Sequence, residues 1–137
     1  MTKIEKSVEI KAPVEKVFSM CADIEGYTNF MEGAKEITKI NDTKYHWKME
    51  TAGRMVEFDT EAVEITENKK IAWKSIGDFK STGFWTFSPS DEGASVTYVM
   101  DYEIPGLMGK IFDKVTISKE MEKGMESSLQ KLKEILE

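Results

Sequence analysis

Between residues 3 and 11, apolar and polar side chains alternate. Ile4, Val8 and Ile10 fall on one side, and Lys3, Glu5, Ser7 and Glu9 on the other. A period of two predicts a half-buried strand. Ala12-Pro13 then opens a helix, since proline at a helix start forfeits no intrahelical hydrogen bond. Val14, Val17, Phe18 and Cys21 follow at helical spacing, and Ala22-Asp23 ends the helix. A second short helical turn through Ile24, Tyr27, Phe30 and Met31 closes at Gly33. From Ala34 to Glu103 the period returns to two. Strands are predicted over 35–40, 44–51, 54–66, 71–76, 83–87 and 95–103, parted by turn signals at Asn41-Asp42, Ala52-Gly53, Asn68-Lys69, Gly77-Asp78 and the run from Pro89 to Gly93. Connections this short favour antiparallel hairpins. After Pro105-Gly106 the period becomes helical again. Met108, Ile111, Phe112, Val115, Met121, Met125, Leu129, Leu132 and Ile135 form one stripe, in a helix of about 29 residues and roughly 44 Å.

This order predicts an α+β architecture. A seven-stranded antiparallel sheet with one apolar face curves around the long C-terminal helix, two short helices follow strand 1, and the first strand pairs with the last. Nothing in the chain marks a domain boundary or a repeat, so residues 1–137 read as a single domain.

Composition narrows the function classes. The 137 residues are 40% hydrophobic and 32% charged, enough for a core that needs no staple. The 19 basic and 25 acidic residues leave a net charge of −6, which argues against a nucleic-acid partner or an anionic membrane surface. No apolar run is long enough to span a bilayer, so no integral membrane association is expected. The opening Met1-Thr2-Lys3-Ile4-Glu5-Lys6 alternates, unlike a signal peptide, and a cytoplasmic location is expected. The one cysteine, Cys21, excludes an internal disulfide and a cysteine-based metal cage. Neither a phosphate-binding loop nor a dinucleotide fingerprint occurs. No cofactor, metal or catalytic residue is therefore assigned.

Three stretches carry a family likeness: Val8 to Phe18 running into Asp23 to Phe30; Ile71-Ala72-Trp73 followed by Gly83 to Phe87; and Val96 to Gly106 leading into the terminal helix. They resemble the START/birch-allergen-like (SRPBCC) superfamily and its helix-grip fold. The likeness is strongest to its polyketide cyclase/dehydrase and lipid-transport branch, which includes coenzyme-Q-binding proteins. That resemblance implies a cavity between sheet and helix that holds a hydrophobic small molecule such as a lipid, quinone or polyketide. It also implies two alternatives: a cyclase or dehydratase working in the same cavity, or a protein-interaction module akin to the co-chaperones of this fold. Fold alone does not choose among them.

Register supplies candidate wall residues. If Thr51 faces Arg54 across the Ala52-Gly53 turn, then Met49 faces Val56, Trp47 faces Phe58 and Tyr45 faces Thr60. These residues share the inner face, because opposed residues in an antiparallel pair point to the same side. Lys44, His46, Lys48, Glu50, Glu57, Asp59 and Glu61 share the outer face. Placing Thr66 opposite Ile71 sets Trp73 opposite Glu64 and Ser75 opposite Ala62, with a bulge near Val63 moving Glu64 to solvent. In the last strand Val96, Tyr98, Met100 and Tyr102 face inward. For 83–87 both phases fit; Trp85 and Phe87 inward is preferred, with Gly83 making room for a ligand or the helix. Tyr27, Phe30, Ile111, Phe112 and Val115 complete the expected binding set, and 104–109 with Tyr27, Phe30 and Met31 its entrance. Nine methionines suit an adaptable apolar wall. Arg54, the sole arginine, is expected at the rim, where its planar fork suits an anionic or carbonyl head group or else turns to solvent. His46, the sole histidine, is expected on the outer face without catalytic or metal-binding partners, and Cys21 as a small buried hydrophobe.

Overall fold

The computed structural model describes residues 2–51, 53–77, 80–103 and 114–137. Strand β1 (Thr2–Ile10) leads into helix α1 (Val14–Ala22) and a short 3-10 helix (Ile24–Asn29). Strands β2 (Ala34–Lys39), β3 (Lys44–Thr51), β4 (Arg54–Thr66), β5 (Lys70–Ile76), β6 (Lys80–Ser90) and β7 (Gly93–Glu103) follow, and helix α2 (Lys114–Leu136) ends the chain. The strands form one antiparallel sheet in the order β1-β7-β6-β5-β4-β3-β2. It is a meander whose first strand returns to pair with its last, Thr2 opposite Tyr102 and Ile10 opposite Ala94. This is the α+β arrangement of one antiparallel sheet and a long C-terminal helix that the hydrophobic periods predict, and the helix-grip fold that the family resemblance implies. The expected segment 104–109, Met108, Ile111, Phe112, Ala52, Asp78 and the side chains of Thr51 and Val115 lie outside the described residues.

Helix α2 is tied down along its length. Lys6 of β1 pairs with both Glu122 and Glu126 (2.8 Å each). Lys133 Nζ donates to the Glu9 carbonyl (2.8 Å), and the Lys11 backbone N–H donates to the Glu137 carboxylate (3.0 Å). Near the other edge, Ser128 Oγ accepts from the Glu32 backbone N–H (2.8 Å) and donates to the Gly124 carbonyl (2.6 Å). Its inward stripe runs Met125, Leu129, Leu132 and Leu136, all buried. Ile135, expected on that stripe, is 47% exposed. A 3.6-residue repeat continued from Leu132 reaches Leu136 as well as Ile135, and Leu136 takes the buried place.

Three further expectations are corrected. The β6–β7 hairpin is longer than the sequence suggests: Pro89 pairs with Ala94 and Ser90 with Gly93, so the turn is Asp91-Glu92 alone. Proline is tolerated there because β5 pairs only as far as Thr86 and leaves that stretch of β6 free on one side. Between β4 and β5, Thr66 pairs with Lys70 and Glu64 with Ala72, while Trp73 faces Ala62 and Ser75 faces Thr60. A bulge at Val63, between Ala62 and Glu64, shifts the register by one. Glu64 is exposed, where it pairs with Lys70 (3.4 Å) and accepts from Thr66 Oγ1 (3.2 Å). Finally, Gly83 makes room for a side chain of the sheet itself. A Cβ built on it would fall 2.6 Å from Trp73 Cζ2, so only glycine lets the Trp73 indole lie over β6.

Candidate functional site

The β3–β4 register is as the sequence predicts, from Tyr45 opposite Thr60 to Thr51 opposite Arg54. The inner faces of β3 to β7 and the inner side of α2 enclose a cavity of about 190 Å³. Of the expected binding residues, Tyr27, Trp47, Met49, Phe58, Trp73, Trp85, Tyr98, Met100 and Tyr102 line it. The preferred phase of β6 holds: Trp85 and Phe87 point inward and are buried. Phe30 and Tyr45 are buried but stand behind the wall, with Phe30 packed against Tyr27 (ring centroids 5.1 Å) and Trp85 (6.4 Å). Arg54 keeps its register but is exposed at the start of β4, outside the lining. A long cationic side chain at a strand end reaches water readily.

The wall is an aromatic network. The Trp85 ring stacks on Phe87 (6.3 Å, 12° between planes) and packs on Tyr98 at 4.3 Å, while Tyr27 meets it edge-on at 6.0 Å. Trp47 and Phe58 stack at 5.8 Å across β3 and β4. Such pairs fix ring orientations and keep the wall rigid. The tips are mostly satisfied. Trp47 Nε1–H donates to Thr60 Oγ1 (2.9 Å), the Tyr102 hydroxyl to Ser118 Oγ (2.9 Å) and the Tyr27 hydroxyl to the Cys21 carbonyl. Burial pushes the Tyr27 and Tyr98 hydroxyls well above the usual tyrosine range, and the Cys21 thiol likewise. All three therefore stay protonated at neutral pH.

Several wall residues fall outside the sequence-derived binding set. Val56, Thr60 and Ala62 were legible from the β3–β4 alternation, and Met121 and Met125 from the helical stripe. Ser81 needed the alternation of β6 to be carried back past Gly83. Three carboxylates, Glu32, Glu50 and Glu120, also reach the lining. Their signal is weak, since each reads as an ordinary solvated charge.

His46 is on the outer face, as expected, but it does have partners. Asp59 lies 2.6 Å from Nδ1 and Glu57 lies 3.0 Å from Nε2. Both sit opposite or diagonal to it on β4, so the same alternation that put His46 outside brought them along. Both ring nitrogens are engaged, and the described residues contain no cluster of three or more His, Cys, Asp or Glu able to hold a metal. Among the described helices none is long and apolar enough to cross a membrane.

A family model for polyketide cyclase / dehydrase and lipid transport proteins matches residues 1–137. An uncharacterized 17.2 kDa protein of Streptomyces lincolnensis is 30% identical over 139 residues, covering 100% of this chain and 91% of that protein. A crystal structure of a Thermus thermophilus protein superposes with a TM-score of 0.85 at 25% identity, over 98% of this chain and 97% of the other. A START superfamily protein of Mycobacterium smegmatis gives 0.76 at 21%, over 98% and 99%. An aromatase/cyclase of a Streptomyces species gives 0.78 at 14%, over 98% and 93%.

Proposed function

The chain belongs to the polyketide cyclase / dehydrase and lipid transport family, and from that premise we propose that it binds and carries a hydrophobic small molecule between its sheet and α2. The observation that supports this most is the cavity wall itself. Tryptophan, tyrosine, phenylalanine and methionine surround a void between the sheet and α2. A carrier needs apolar walls and a few orienting polar groups, and nothing more. Burial of the ligand supplies the affinity, at about 25 cal/mol per Å² of apolar surface removed from water. The sequence likeness to coenzyme-Q-binding proteins makes a quinone one member of this ligand class, beside lipids and polyketides. Carriage is favoured over cyclisation or dehydration because the chain's one histidine, His46, is on the outer face and not in the cavity lining.

Native mass spectrometry of freshly purified protein tests the proposal. The expected result is a defined adduct that is lost on denaturation. A bare protein mass, with tryptophan fluorescence unmoved by quinones, lipids and aromatic polyketides, would overturn it.

A further inference from the structure

Gly83 lies in the body of β6, where the backbone itself does not require glycine. The described glycines with positive φ are Gly33, Gly53, Gly77 and Gly93, and Gly83 is not among them. A glycine inside a strand weakens it and marks the close approach of another group. That group is the Trp73 indole. Trp73 pairs with Gly83 across β5 and β6, and Gly83 with Met100 across β6 and β7, so the three positions share the inner face. A Cβ at Gly83 would lie 2.6 Å from Trp73 Cζ2, 2.7 Å from Cε2 and 2.8 Å from Nε1.

The slot that takes the indole has one open direction. Along β6 it is bounded by Ser81 and Trp85, the next inward residues on either side, and both are buried. Met100 stands beyond it on β7, and the β6 backbone lies beneath. What remains is the cavity, which Trp73, itself only partly buried, lines. Carbon atoms in good contact are about 3.5–4.0 Å apart, so a side chain at position 83 moves the indole about 1 Å or more into the void. Trp47 and Trp85 are held differently, each stacked on a phenylalanine of the wall. Met121 and Met125, which line the void from α2, adapt their shape to what they meet. The depth of the void at Trp73 is therefore fixed by a missing side chain on the next strand.

Building on the carrier reading, we propose that Trp73 and Gly83 together set the size limit of the ligand. With the indole folded against β6 the void is about 190 Å³, somewhat larger than the cavity of about 150 Å³ that takes up benzene in an engineered protein core. It admits one or two fused rings and excludes three.

Equilibrium dialysis with benzene, naphthalene and phenanthrene tests this on the unaltered protein and on three variants. Unaltered protein should bind naphthalene at least about tenfold more tightly than phenanthrene, and Gly83→Ala should weaken naphthalene about tenfold while benzene holds. Trp73→Ala should bring phenanthrene up to the affinity of naphthalene. In the double variant Gly83→Ala should have no further effect, because the indole through which it acts is gone. Should Gly83→Ala fail to fold, Trp73→Ala decides alone. Phenanthrene bound as tightly as naphthalene by the unaltered protein, or still excluded by Trp73→Ala, overturns the inference yet leaves the carrier reading standing. So does a Gly83→Ala effect that is absent, or that persists without Trp73. Failure of the unaltered protein and Trp73→Ala to bind any of the three overturns both.

Discussion

The space between the sheet and α2 has two ends built from different side chains. At the α1 end, Val14, Val17, Phe18 and Cys21 belong to the same buried cluster as Ile10, Phe87, Ala94, Val96, Leu132 and Leu136. Phe18 and Phe87 meet edge-on at 5.4 Å. At the other end Met31, Met49, Phe58, Ala62, Trp73, Met100 and Met121 are only partly buried, around the void. The closed end is mostly aliphatic, and compact branched side chains interdigitate to crystal-like density. The open end uses rigid rings and flexible methionines, with hydroxyls and indole N–H groups among them. One sheet face thus forms a filled core at one end and the wall of a cavity at the other, the difference lying in side-chain shape and polar tips.

Truncation should separate the ends most sharply. Leu132→Ala removes a fully buried side chain and should cost about 3 kcal/mol in urea denaturation, whereas Met121→Ala, at the cavity, should cost about 1 kcal/mol. Equal losses would break the distinction. Enlargement gives the mirror test. Ala94→Leu overpacks the closed end and should cost about 2 kcal/mol, while Ala62→Leu grows into the void and should change stability by under about 0.5 kcal/mol.

Smaller effects sharpen the picture. Gly124 lines the cavity from α2, and a Cβ there would meet Glu32 Cβ and Cγ at 3.7 Å, an ordinary contact. Gly124→Ala should therefore stabilise the protein by about 0.5–1 kcal/mol through helix propensity, visible as a raised melting temperature. The smallest effect lies on the outer face. Hydrogen bonds to Glu57 and Asp59 raise the His46 pKa above 6.5, and His46 lowers that of Glu57 below 4.5. The histidine's contribution is fully present below its unfolded pKa and fades as pH rises through the raised folded value. The Glu57 contribution is present above its unfolded pKa and fades as pH falls through the depressed value. Melting temperature should thus peak modestly between the two ranges, and His46→Gln should flatten it. The pair is exposed and its effect small.

Much of this was legible in the chain because unbroken alternation fixes a register. Tyr45, Trp47 and Met49 fell opposite Thr60, Phe58 and Val56 as the short turn at Ala52-Gly53 requires. Where the alternation breaks, as at Val63, a single bulge moved Trp73 from Glu64 to Ala62, and no local pattern gives that pairing. The phase of β6 was undecided because Phe84, Trp85 and Phe87 place aromatics on both faces. It is set by Gly83, whose missing side chain accepts Trp73 from the neighbouring strand. The cavity's extent was hidden for a related reason. Whether large side chains fill a space or surround one depends on their three-dimensional packing, and periodicity reports only which side they face.

The most direct test of the central claim is a calorimetric titration of naphthalene into the unaltered protein and into Ala62→Phe, which places a ring in the void. The account predicts one molecule bound per chain in the first and binding lost in the second, with both proteins unfolding at similar urea concentrations. Undiminished binding by the filled variant would place the ligand elsewhere and contradict the account.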